Sequence, residues 1–275
     1  MMQFLLDTIK EFHGLTVNYS GNLLLFKQLN YPLLAYNWPT VIFWILFFQQ
    51  LYQPSIYIRA LLTKDKRDSS FRNKLKWSAH FCSQVHAVAV VFLCFKYYIS
   101  GSSNNNVSDF DPQVITLTNF SLGYFIWDLI TSVMDISQSG LAFVAHALVA
   151  INCLLFAYRP AIHSFVPAVL SSELSTVFLN NIWFCDKLGY SGSKFQALNG
   201  ILLVLAFFSV RIVYGAFSFA NLALQLLENL DFLGNYLVFS TLLCIIVLWP
   251  LNLLWMYKIL SSFYSRFKLA QLKQI

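Results

Sequence analysis

Charge is what this sequence lacks. Only 11% of its 275 residues are Asp, Glu, Lys or Arg, where an ordinary soluble domain carries roughly 25%. So little polar surface excludes a soluble enzyme. Glycine is also scarce at 10 residues and proline at 7, which excludes collagen-like, linker and disordered classes. The five cysteines, Cys82, Cys94, Cys153, Cys185 and Cys244, fall within or at the ends of apolar runs. They read as packing residues, not as a disulfide framework. What the chain holds instead is apolar bulk: 58% hydrophobic residues, with 27 Phe, 14 Tyr and 7 Trp. Side chains of this kind need protein or lipid around them, so the solvent is a bilayer.

A spanning helix needs about 20 mostly apolar residues. Runs of that kind predict seven membrane helices, at 39–58, 78–99, 113–133, 141–158, 162–184, 198–222 and 236–257. Pro160 forbids one straight helix through the fourth and fifth runs, so a tight turn is expected there. The fold class is all-α, polytopic, with a membrane domain over 38–265. Residues 1–37 read as an interfacial segment and 266–275 as a basic tail. Asp7 and Glu11 flank the apolar start and no basic run precedes it, so no signal peptide is expected.

Positive charge in short loops sets orientation. The segment 59–76 holds Arg59, Lys64, Lys66, Arg67, Arg72, Lys74 and Lys76 and is expected in the cytoplasm. Alternation places Lys187, Lys194 and the basic tail on the same side, with the C-terminus inside. The sequons at Asn18 and Asn106 fall on the opposite side with the N-terminus, which is the lumen of a secretory membrane. A third sequon, at Asn119, lies within a run and is expected to be inaccessible.

Ionisable groups inside a membrane are costly, at least about 2.5–3.5 kcal/mol on insertion scales, and mark functional hypotheses. Here they are His80, His86, Asp128, His146, Glu173 and Arg211, with Asp135 at a boundary. Residues three or four apart share a helix face. Ser121, Tyr124, Asp128, Thr131 and Asp135 form one such stripe, Glu173, Thr176, Asn180 and Trp183 a second, and Arg211, Tyr214, Ser218 and Asn221 a third. Three polar faces imply a shared interior cavity or a hydrogen-bonded interface. Counted from the cytoplasmic ends, His86 lies about 13 Å deep, Asp128 and His146 about 10 Å, Glu173 about 16 Å and Arg211 about 20 Å. On that count the two histidines meet Asp128 at one level, and Glu173 pairs with Arg211 deeper in the bundle.

Four blocks resemble a known family. They are Ser83-Gln84-Val85-His86-Ala87, Gly123-Tyr124-Phe125-Ile126-Trp127-Asp128-Leu129, Phe143-Val144-Ala145-His146-Ala147-Leu148, and the run from Glu173-Leu174-Ser175-Thr176 to Asn180-Asn181-Ile182-Trp183-Phe184. In order and spacing they are similar to the TLC domain over about 70–265. That family includes the translocating-chain-associating membrane proteins and the ceramide synthases. The short chain looks most like TLC-domain-containing proteins with no further domain. The resemblance implies a six-helix TLC bundle plus one preceding helix, an endoplasmic reticulum or related membrane, and a cavity for an acyl chain. In ceramide synthases an adjacent His-His pair serves acyl transfer from acyl-CoA. This sequence has Ala145-His146-Ala147 there and no aspartate run around Asp135, which argues against ceramide synthesis itself.

Two functions follow as expectations. One is lipid acyl transfer with acyl-CoA as co-substrate and no bound cofactor. His146 is then nucleophile or base, Asp128 its orienter and His86 a second proton-transfer group, with Tyr124, Thr131, Asp135, Glu173, Thr176, Asn180 and Arg211 lining the cavity. The other is a non-catalytic protein that binds membrane lipid in the same cavity and regulates lipid composition or assists cargo or protein insertion. A zinc site on His86, His146 and Asp128 is a weaker third choice. Nucleic acid is not an expected partner.

Overall fold

The computed structural model describes residues 32–63, 70–101 and 111–272. Among them every regular element is helical. The longer helices are α1 (Pro32–Gln50), α2 (Tyr52–Leu62), α3 (Phe71–Ile99), α4 (Pro112–Met134), α5 (Leu141–Phe156), α6 (Glu173–Lys187), α7 (Lys194–Phe207), α8 (Tyr214–Glu228) and α9 (Asn235–Leu272). Five helical stretches are long and apolar enough to cross a membrane: Leu33–Leu62, Phe71–Ile99, Pro112–Met134, Lys194–Glu228 and Asn235–Arg266. This is consistent with an integral membrane protein.

Two expected spans differ. The fourth is the 16-residue α5. The fifth is interrupted: short turns at Pro160–His163 and Val166–Leu170 precede α6, which starts only at Glu173. Pro160 and Pro167 remove donors, and the Ser171 and Ser175 hydroxyls donate to the Pro167 and Ser172 carbonyls. Hydroxyls that bond the backbone locally compete with the helical ladder.

The first helix also departs from expectation. It begins by Pro32, inside the segment read as interfacial, and runs through Pro39. It stops at Gln50 and resumes at Tyr52 because Pro54 has no N–H for the Gln50 carbonyl. Residues 1–31, with Asn18, and the loop holding Asn106 lie outside the described residues.

The core sits where α1, α3, α4 and α5 meet. Phe48, Cys82, Val90, Leu117, Leu122 and Trp127 are all within it and almost fully buried. Gly123 lets α1 and α4 touch: a Cβ there would lie 2.4 Å from the Trp44 Cβ and 3.0 Å from the Val41 carbonyl oxygen. Polar groups lock the same pair, with Asn119 donating to Asn37 at 2.7 Å and accepting from the Tyr158 hydroxyl. The Asn119 sequon is therefore buried.

α7 and α8 form one helical stretch joined by a π-helical turn, Phe208–Val213. That extra residue per turn turns Arg211 inward, 7% exposed. At the Lys187–Lys194 end, Asp186 receives two bonds from Arg266 of α9, at 3.1 and 2.7 Å, and further bonds from Ser191 and Gln196. The Arg266 guanidinium holds the Asp186 carboxyl below its ordinary value, at about 2.

Candidate functional site

The residues singled out from the sequence divide into three groups in space. His86 is fully buried against α4. Its ring stacks on Tyr124 at 3.9 Å between centroids, and Nε2 lies 3.2 Å from the Ser121 hydroxyl. It belongs to the aromatic core with Phe48 and Phe120. The first polar stripe thus meets α3, with Thr131 donating back to the Asp128 carbonyl and Asp135 ending α4 as its cap.

A second group joins α3, α6 and α7 through neutral side chains. The His80 ring stacks on Trp183 at 4.0 Å, and its Nδ1 lies 2.9 Å from Asn180 Oδ1. Asn180 donates in turn to Ser83 at 3.0 Å. Gln84 donates to Asn181, Asn181 to Asn199, and Asn199 to the Phe178 carbonyl. This carboxamide ladder fixes helix register. Asn181 and Asn199 escaped a reading that weighed ionisable groups.

The third group surrounds a cavity of about 80 Å³, several times the roughly 10–15 Å³ that one water needs. Its walls are α5, the interrupted segment from Ile162 to Leu170, the π-turn, α8 and α9, with Phe125 of α4 and Glu173 of α6. Most of the lining is apolar, including Phe125, Leu154, Phe165, Leu222, Ile245 and Leu248. The polar exceptions include His146, Glu173, Arg211 and Asn252. Arg211 lies 3.7 Å from Glu173 and donates to Ser175 from Nε at 2.8 Å and to Thr176 from Nη2 at 3.1 Å. Neutral hydroxyls therefore hold the guanidinium more closely than the carboxylate does. His146 packs edge-on against Trp255 and Phe125, and its Nδ1 has no hydrogen-bond partner among the described residues.

The expected triad of His86, Asp128 and His146 is not brought together. The Phe125 ring contacts both imidazoles, at 5.4 and 5.8 Å between centroids. No hydrogen bond joins Asp128 to either histidine among the described residues. Equal depth along separate helices does not give contact when an aromatic ring intervenes. The zinc set is likewise not assembled: no group of three or more His, Cys, Asp or Glu is placed to hold a metal among the described residues. Asn252 is the cavity residue the sequence reading missed. Its signal was a lone carboxamide within the apolar run Leu248-Trp249-Pro250-Leu251-Asn252-Leu253.

The TLC domain model matches residues 76–261, which contain all three groups. The chain belongs to the TLC domain family. An uncharacterised TLC domain-containing protein of Schizosaccharomyces pombe is 33% identical over 80% of this chain and 77% of its own length. TLC domain-containing protein 4-B of Danio rerio is 32% identical over 70% of this chain and 76% of its own. Topoisomerase I damage affected protein 4 of Saccharomyces cerevisiae is 29% identical over 68% and 69%. The TLC domain thus begins in α3 and ends in α9, leaving α1 and α2 before it.

Proposed function

We propose that this TLC protein holds part of the acyl chain of a membrane lipid in the cavity between α5, α8 and α9 and acts in lipid metabolism as a lipid-binding protein. The observation that carries this reading is the chemistry of the lining: a mostly apolar wall with a few polar groups, the pattern of small-molecule sites. Among the described residues no carboxylate bonds His146, which supports binding over catalysis, because a general base is usually oriented by a third group. The membrane we infer is the endoplasmic reticulum or a related endomembrane, with the 59–76 segment and the C-terminus in the cytoplasm.

The test is mass spectrometry of lipids released from protein purified in mild detergent. A defined class of acyl lipid, retained without chemical change, is the expected result. Purified protein carrying only the bulk lipid mixture would sink the reading.

One observation favours a second reading, acyl transfer from acyl-CoA. The unpartnered Nδ1 of His146 borders the same cavity, where an imidazole is a competent nucleophile or base. Turnover of an acyl-CoA with a panel of lipid acceptors, lost in His146→Ala, would establish it.

A further inference from the structure

Three polar groups on largely buried residues border the cavity without a hydrogen-bond partner among the described residues, and His146 Nδ1 is the one whose atom is itself fully enclosed. Arg211 is 7% exposed, and its bonds use Nε and Nη2, leaving both N–H groups of Nη1. Asn252 is 6% exposed and makes no side-chain hydrogen bond. His146 Nδ1 is the third. An enclosed polar atom left unpaired, as His146 Nδ1 is, costs about 1–3 kcal/mol, and such atoms are rare enough to need an explanation. Three around one cavity share one explanation, a ligand that carries hydrogen-bonding atoms.

The charge balance narrows the ligand. Glu173, 3.7 Å from Arg211, already neutralises the guanidinium. A carboxylate or phosphate brought beside that pair would add an uncompensated buried charge, which is strongly disfavoured. What Nη1 can take is an uncharged acceptor. We propose that the cavity selects lipids by an uncharged acyl carbonyl, as in an ester or amide, which accepts from Arg211 Nη1. Asn252 and His146 bond the polar atoms beside the carbonyl, and the chain lies along Leu154, Leu222 and Leu248. Arg211 stands in the π-turn, and such turns recur at functional sites. This inference rests on the lipid-holding reading above and names its ligand class.

The experiment compares monooleoylglycerol with its ether analogue, 1-O-oleylglycerol, which has the same chain and glycerol but no carbonyl oxygen. Oleate is the third ligand. Binding is measured on the full chain in detergent micelles by competition with a fluorescent fatty-acyl probe. The ester should bind about tenfold more tightly than the ether, as expected for one hydrogen bond from a charged donor, and more tightly than oleate. Arg211→Met should bring the ester-to-ether ratio close to one. Asn252→Leu, which leaves the ion pair in place, should weaken both glycerol lipids at a preserved ratio and keeps the test alive if the Arg211 variant does not fold. Equal binding of ester and ether, or preference for oleate, would overturn the carbonyl assignment while leaving lipid holding intact. Binding of none of the three would overturn the lipid-holding reading beneath it.

Discussion

Single residues in this bundle are decided by what little room they have. Gly123 is one case, because α1 and α4 approach so closely that any side chain meets backbone as well as the Trp44 Cβ. Conformational freedom is not the reason, since the position is ordinary helix. Gly123→Leu is expected to force α1 away and to cost about 1–3 kcal/mol, typical of an overpacked core. The check is the thermal unfolding midpoint in detergent, with Gly200→Leu as comparison. The ideal Cβ at Gly200 meets only side chains, the Phe263 ring at 3.4 Å and Ile182 Cδ1 at 3.8 Å, so its effect should be smaller. An unchanged midpoint in Gly123→Leu would show that α1 does not dock as described.

Elements are joined at their ends by polar contacts that hydropathy does not reveal. The Asp186–Arg266 pair ties the C-terminal end of α6 to the C-terminal part of α9. Its pH dependence has a definite sign. The Asp186 carboxyl is held at about 2 in the folded protein, against about 3.9 when unfolded. The pair's stabilisation is therefore complete above about pH 4 and is lost as pH falls through about 2. At this exposure it amounts to about 0.2–1 kcal/mol. The midpoint difference between wild type and Asp186→Asn should be small at pH 7 and shrink further below pH 4. A difference that grows on acidification would contradict the pairing.

The positions of the apolar segments were legible in the sequence, because a bilayer imposes length and composition on each helix. The start of α6 at Glu173 was not. Proline and serine break the fifth run by local hydrogen bonding, while its mean hydropathy hardly changes. Among site residues, Glu173 and Arg211 share a neighbourhood that their depth suggested, and Thr176 joins them from the same face as Glu173, three residues on. His86 and His146 are parted by Phe125, a residue that is apolar and silent in any search for buried charge.

At the scale of the whole molecule, the described helices run back and forth so that the chain ends of α3 and α6 with Lys76 and Lys187 share a side with Arg266. The proposed orientation then predicts which sequons are modified. Glycosidase treatment should shift the mass of protein made in a eukaryotic secretory system, and Asn18→Gln with Asn106→Gln should abolish that shift. A shift surviving the double substitution would mean that Asn119, enclosed by Asn37 and Tyr158, is reached, which the packing forbids.

The interrupted fifth segment has a mechanical consequence for the cavity. Most of the lining comes from helices of four turns or more, whereas one part of it is the single five-residue helical turn Val166–Leu170. Compliance is therefore concentrated in that one part. Hydrostatic pressure favours states that eliminate void volume, so compression should draw this turn inward first, and an occupied cavity should resist it.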